Sequence, residues 1–127
     1  MSHICSITDA TVLTTDERFL GMPHAREGWL RLAQNAAISR TWGDCFGYLL
    51  VATGRAEVMT DPVLSEWDTA ALLPIIEEAG GIFTNWRGDR TWKGHSAIAT
   101  NYALAIAARA LLSEDRLAGY DLSVGLD

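Results

Sequence analysis

The sequence is poor in cysteine, in lysine and in long apolar runs. Its 127 residues include two cysteines, Cys5 and Cys45, and one lysine, Lys93. Two cysteines make neither a disulfide framework nor a zinc-binding pair, so we expect reduced thiols in a cytoplasmic chain. The N-terminal residues lack the basic start and apolar centre of a signal peptide. Every apolar run is far shorter than the roughly 18 residues of a membrane helix, so no membrane partner is expected.

Positive charge is also scarce. Ten basic residues are outnumbered by sixteen acidic ones, which gives a formal net charge of −6. Because the chain has no basic cluster to attract a phosphate backbone, we expect no nucleic-acid partner. Its acidity suits metal cations or positively charged small molecules instead. The chain is 49% hydrophobic and 20% charged, which is ordinary for a globular protein, and residues 1–127 are expected to form a single domain.

Short predicted strands and helices alternate along the chain. The strands are predicted at residues 10–14, 38–41, 56–60, 82–84 and 96–100, and the helices after Pro23 and at 45–53, 69–79 and 102–112. Asp44, Asp68 and Asn101 are the predicted N-caps of the last three helices. This alternation predicts an α/β fold with helices layered on a sheet.

Three of these helices are apolar on nearly every side. Residues 69–79 read TAALLPIIEEA and residues 102–112 read YALAIAARALL. A helix that is apolar all round has to be buried all round, and a chain of this length has few places to bury three of them. We therefore expect the chain to pack against more protein: a missing half, a partner subunit, or both.

Three carboxylates fall at predicted strand ends and helix starts. Asp44 and Asp68 begin helices, and Asp61 ends a strand ahead of Pro62. In an α/β sheet these positions lie along one edge, where ligands bind, so the three side chains could converge. Each also has a purely structural explanation, as an N-cap or as a turn residue. By themselves they indicate an acidic pocket, without a glycine-rich phosphate loop or a recognisable nucleophile–base pair.

Two segments resemble a known family. Residues 67–71, WDTAA, followed by EAGG at 78–81, match the W-D-x-A and E-A-G-G signature of the inositol monophosphatase family. Residues 40–48, RTWGDCFGY, resemble the R-T-W-G-D-C-Y-G-Y stretch of its histidinol-phosphate phosphatase branch, as do VATG at 51–54 and SAIATN at 96–101. The resemblance covers about residues 10–112.

The resemblance is incomplete. The family's other signature, D-P-x-D-G-T, is absent, since Asp61-Pro62 is followed by Val63-Leu64. The upstream glutamate that completes the family's metal site is absent too. Family members are roughly twice this length, so the chain resembles their C-terminal half, a layered mixed sheet with helices.

The resemblance implies a role for four residues. Asp68 resembles the aspartate that binds one Mg²⁺ and touches the substrate, and Asp61 stands where the family has an acidic contact to the leaving alcohol. Arg40 and Asp44 resemble a substrate-contacting segment. No residue of the chain is implied to be a catalytic nucleophile. The implied reaction is hydrolysis of a small phosphate monoester, in which metal ions activate water and stabilise the leaving oxygen.

Histidinol phosphate is the favoured substrate, because Asp44 and Asp61 would favour its ammonium and imidazole over the hydroxyls of inositol. One alternative is an inositol-phosphatase-like enzyme of broader specificity. Another is a catalytically silent half-domain that assembles with a partner chain or homodimerises. Because most metal ligands are absent, we expect the isolated chain to have little or no phosphatase activity.

Overall fold

The structure, a computed structural model, describes residues 1–43 and 45–113. The strands of this part are β1 (Thr11–Thr14), β2 (Ile38–Thr41), β3 (Val58–Asp61), β4 (Ile82–Thr84) and β5 (Ala97–Thr100). The helices are α1 (Pro23–Asn35), α2 (Phe46–Ala52), α3 (Glu66–Glu78) and α4 (Ala105–Leu112). Every predicted strand is confirmed to within two residues.

The strands form one mixed sheet in the order β2-β1-β3-β5-β4. Strand β1 runs parallel to both β2 and β3, whereas β5 runs antiparallel to β3 and β4. All residues of β3 and β5 are buried, but β2, at one edge, is largely exposed. This arrangement confirms the predicted mixed sheet.

Alternating side chains on the strands build two separate cores. Leu13 and Met59 point to the face covered by α2 and α3, while their neighbours Val12 and Val58 point to the face covered by α1 and α4. Helices α1 and α4 cross so closely that a Cβ on Gly28 would lie 2.2 Å from the carbonyl oxygen of Leu112. The result is three layers, with helices on both faces of the sheet.

Two predicted helix starts are wrong. Helix α3 begins at Glu66, and its N-cap is Ser65, whose hydroxyl accepts a hydrogen bond from the backbone N–H of Asp68. Asp68 is therefore inside the first turn, not at the cap. Helix α4 begins only at Ala105, although the Asn101 side chain still accepts the N–H of Leu104 at 3.0 Å in the preceding turn. The third predicted cap, Asp44, lies outside the described residues.

The apolar helices are not covered on every side by the described part of the chain. Ile106 of α4 is 85% exposed, and Phe46, Leu49 and Ile75 are each more than 40% exposed. Their outward faces are available to other protein. Among the described residues, no helix is long and apolar enough to cross a membrane.

Candidate functional site

An acidic cavity lies at the sheet edge where β1 and β3 end and where α2 and α3 begin. Its volume is about 330 Å³. It is lined by Thr15, Cys45, Asp61, Val63, Leu64 and Asp68. The carboxyl ends of parallel strands meet at this edge, which is where α/β proteins commonly bind ligands. Two of the three predicted carboxylates, Asp61 and Asp68, therefore share one cavity.

Asp61 is a buried carboxylate that accepts hydrogen bonds from two residues, Tyr48 and Thr15. It is the last residue of β3 and only 4% exposed. Its Oδ2 accepts the hydroxyl of Tyr48 at 2.7 Å, and its Oδ1 accepts the backbone N–H of Thr15 at 3.3 Å. Burial raises the pKa of Asp61, and the hydrogen bonds from Tyr48 and Thr15 only partly oppose that shift. Among the residues that the structure describes, neutral groups and no cation stabilise its ionised form.

Tyr48 is the main residue that the sequence reasoning missed. It lies on α2, is fully buried, and packs its ring 6.4 Å from that of Phe83. Burial, and then the nearby charge of Asp61, raise the pKa of Tyr48 well above its ordinary value, so the phenol stays protonated and donates. The sequence held a signal for the burial of Tyr48. Tyr48 and Val51 are three residues apart, so they lie on the same face of α2 and pack into the same core.

Asp68 differs from Asp61 in its surroundings. It is half-buried in the first turn of α3, where the helix dipole favours a negative charge. No described residue donates a hydrogen bond to its carboxylate, whose oxygens stay available to a ligand in the cavity. Of the described residues that line this cavity, none is basic.

The first turn of α3 is held in place by the loop between β4 and β5. The backbone N–H of Leu64 donates to the carbonyl of His95 at 2.8 Å, and the His95 ring lies 3.3 Å from the carboxylate of Glu66. The hydroxyl of Thr69 donates to the carbonyl of Trp92. These contacts fix the direction from which Asp68 enters the cavity.

The two remaining predicted site residues are not brought to the cavity by the described structure. Arg40 is exposed on the edge strand β2, where its guanidinium donates to the adjacent carbonyl of Ser39 at 2.8 Å. It does not line the cavity. Asp44 lies outside the described residues, but its neighbour Cys45 does line the cavity. The substrate contacts of Arg40 and Asp44 stay predictions.

A Mg²⁺ site would be only partly supplied by these residues. Mg²⁺ is usually bound by one or two carboxylates together with waters and phosphate oxygens. Asp68 offers one carboxylate to which no described residue donates a hydrogen bond, which fits such a site. Among residues 1–43 and 45–113, however, no group of three acidic, histidine or cysteine side chains could hold a metal ion. The described residues thus fit part of a metal site.

The layered mixed sheet and its acidic edge cavity define an α/β protein with a candidate ligand-binding site at the sheet edge. The inositol monophosphatase family model matches residues 2–116. The chain therefore belongs to the inositol monophosphatase family, as the motifs predicted.

Similar proteins include two histidinol-phosphatases. That of Chlorobaculum parvum is 39% identical over 105 residues, which are 82% of this chain and 40% of that protein. That of Mycobacterium tuberculosis is 39% identical over 101 residues, 80% of this chain and 39% of that protein. The solved inositol monophosphatase of Zymomonas mobilis superimposes with a TM-score of 0.80 at 25% identity, covering 88% of this chain and 45% of its own. The fold class is confirmed, and the chain spans less than half the length of these relatives.

Proposed function

We propose that this chain is the substrate-binding portion of a Mg²⁺-dependent phosphate monoesterase whose substrate is histidinol phosphate. The observation that carries the proposal is Asp61, a buried carboxylate held by neutral donors at a cavity with no basic lining residue among those described. A buried charge without an opposite charge is costly. A positively charged ligand would offset that cost.

The leaving group decides between the candidate substrates. Histidinol phosphate carries an ammonium and a titratable imidazole, whereas inositol phosphate offers only hydroxyls beside its phosphate. Asp61, with Asp44 as a second contact, would bind the cationic groups by charge-assisted hydrogen bonds, which are about twice as strong as neutral ones. The names of the two bacterial relatives support the same choice.

Asp68 is the residue that would hold Mg²⁺. Its carboxylate lines the cavity beside Asp61 and has no hydrogen-bond donor among the described residues. A bound Mg²⁺ would clamp the phosphate, activate water and stabilise the leaving oxygen. The chain itself contributes positioning, because Asp68 is fixed on the first turn of α3 and Asp61 is fixed by Tyr48 and Thr15.

The rest of the metal site would come from protein that this chain does not contain. The chain spans about 40% of the length of the two relatives, and several apolar helix residues are exposed. We propose that a missing N-terminal half, a second copy of the chain in a homodimer, or both, cover these faces. The cytoplasm, where phosphorylated metabolites occur, is the proposed location.

The experiment compares the chain alone with a chimera. The chimera joins the part of the Chlorobaculum parvum enzyme that this chain does not match to the present chain. We expect little or no Mg²⁺-dependent phosphate release from the chain alone, and hydrolysis by the chimera with a preference for histidinol phosphate over inositol phosphate.

Each other result has a distinct meaning. Equal turnover of the two substrates would favour the broader inositol-phosphatase-like alternative. Strong activity from the chain alone would contradict the view that most metal ligands are missing. A folded chimera without activity would favour a catalytically silent half-domain.

A further inference from the structure

We propose that Tyr48 is a positioning residue that gives the acidic cavity its preference for ligands with an ammonium group. This inference rests on the proposed function, because it assumes that Asp61 contacts a cationic leaving group. It adds a residue that lines no part of the cavity and acts only through Asp61.

The two protein donors fix the plane of the Asp61 carboxylate. An ionised carboxylate has about four acceptor positions on its two oxygens. The Tyr48 hydroxyl occupies one on Oδ2 at 2.7 Å, and the Thr15 N–H occupies one on Oδ1 at 3.3 Å. Because both oxygens accept hydrogen bonds, the carboxylate cannot rotate without breaking a buried one. The remaining positions are left for a donor that enters the cavity.

The Tyr48 hydroxyl is itself held in place by packing. Its ring is fully buried and lies 6.4 Å from that of Phe83. Helix α2 approaches β3 so closely that a Cβ on Gly47 would lie 2.4 Å from the sulfur of Met59. Because protein interiors are close-packed, neither the ring nor the helix can shift far without a clash. The hydroxyl is therefore a rigid support for Asp61.

A rigid carboxylate with neutral partners distinguishes an ammonium from a hydroxyl. Tyr48 and Thr15 align Asp61 but bring no positive charge, so the carboxylate keeps its charge for the ligand. An ammonium at the open acceptor positions of Asp61 makes a charge-assisted hydrogen bond. A hydroxyl at the same positions makes a weaker one. Without the Tyr48 hydroxyl, the carboxylate would rotate, and the alignment on which this difference depends would be lost.

The test measures the affinity of the chain for two probes by amide NMR titration. The probes are 2-aminoethyl phosphate and 2-hydroxyethyl phosphate, which differ only by an amine in place of a hydroxyl. The amide of Thr15 is the reporter, since it donates to Asp61. We expect the wild-type chain to prefer the amine about tenfold, the size of one charge-assisted hydrogen bond, and Tyr48→Phe to reduce the preference to about twofold.

The matched control is Tyr102→Phe, which removes the hydroxyl of a tyrosine that is 74% exposed. It should keep the wild-type preference. If Tyr48→Phe also keeps it, the positioning role is wrong and the proposed function stands. If the wild-type chain has no preference for the amine, the cationic substrate itself is wrong, and this inference fails with it.

A second measurement needs no variant and covers the case in which Tyr48→Phe does not fold. In the wild-type chain the Tyr48 hydroxyl proton should exchange slowly with solvent. The amine probe should slow the exchange further, and the hydroxyl probe should not. A Tyr48 hydroxyl proton that exchanges freely, or that responds equally to both probes, would overturn the proposal.

Discussion

Two charged side chains, the buried Asp61 and the half-buried Arg109, lie in different parts of the fold and are used in opposite ways. Burial raises the pKa of Asp61 and lowers that of Arg109 to about 10, so in both cases the charged form is penalised. Asp61 ends β3 at the acidic cavity. Arg109 projects from α4 toward β4 and β5. Their difference lies in how fully their hydrogen-bonding capacity is used.

Arg109 has a protein acceptor for each of its five N–H groups. Nε donates to the Thr84 hydroxyl, Nη1 to the Thr100 hydroxyl and the Ala105 carbonyl, and Nη2 to the carbonyls of Ile82 and Ile98, all between 2.7 and 3.1 Å. A guanidinium has five donors, so none is left for a ligand, although Arg109 also borders a groove of about 420 Å³. Arg109 therefore stabilises the fold.

Asp61 accepts hydrogen bonds, among the described residues, from Tyr48 and Thr15 only, and its remaining capacity faces a cavity. A buried charge with unused capacity costs stability, which a fold tolerates where a ligand supplies the missing partner. Burial alone therefore does not mark a functional charge. A functional charge is marked by how many of its donors or acceptors are satisfied. This number separates the structural Arg109 from the candidate ligand-binding Asp61.

The largest expected effect is on Arg109. Arg109→Met keeps much of the apolar stem but removes all five donors, so the carbonyls of Ile82 and Ile98 each lose a charged donor at about 1–3 kcal/mol. We expect the free energy of unfolding to fall by about 3 kcal/mol or more, measured by urea denaturation. The control, Arg90→Met, removes an exposed arginine paired with Glu77 and should change stability little. Equal losses in the two variants would contradict the assignment of Arg109.

A smaller effect, of opposite sign, is expected for Asp61→Asn. Because burial raises its pKa, native Asp61 keeps a proton at pH values where the unfolded chain has lost it, so stability falls as pH rises through that window. An asparagine side chain is uncharged, so it does not pay the cost of burying an ionised group. Its amide oxygen can still accept the hydrogen bond from Tyr48. The variant should be more stable than wild type at neutral pH, and the difference should shrink as the pH falls toward the ordinary carboxyl pKa. A variant less stable than wild type at neutral pH would show that the hydrogen-bonding capacity of Asp61 is used as fully as that of Arg109.

Local patterns predicted the elements of this fold better than its contacts. Strand positions follow from β-branched runs, and the carboxylates at strand ends follow from the sheet edge. The start of α3 was missed because Ser65 and Asp68 are both good capping residues, and only the backbone geometry selects Ser65.

The Tyr48–Asp61 bond and the environment of Arg109 depend on tertiary packing. The first requires the close approach of α2 to β3 at Gly47. The second joins α4 to residues up to 27 positions earlier in the chain. No local sequence pattern encodes either contact, so only the structure could show them.

The smallest expected change in stability is for Asp68→Asn, which separates an effect on stability from an effect on binding. Asp68 gives the fold only a favourable charge in the first turn of α3, about 0.3–1 kcal/mol. The free energy of unfolding should fall by no more than this. Mg²⁺ binding, followed by the amide shifts of Asp68 and Thr69, should be lost. Asp9→Asn, at an exposed aspartate in the short 3-10 helix Ile7–Asp9, should keep it. Unchanged Mg²⁺ binding in Asp68→Asn would mean that the Asp68 carboxylate is not the metal ligand. Ligand binding in the cavity would then depend on Asp61 alone.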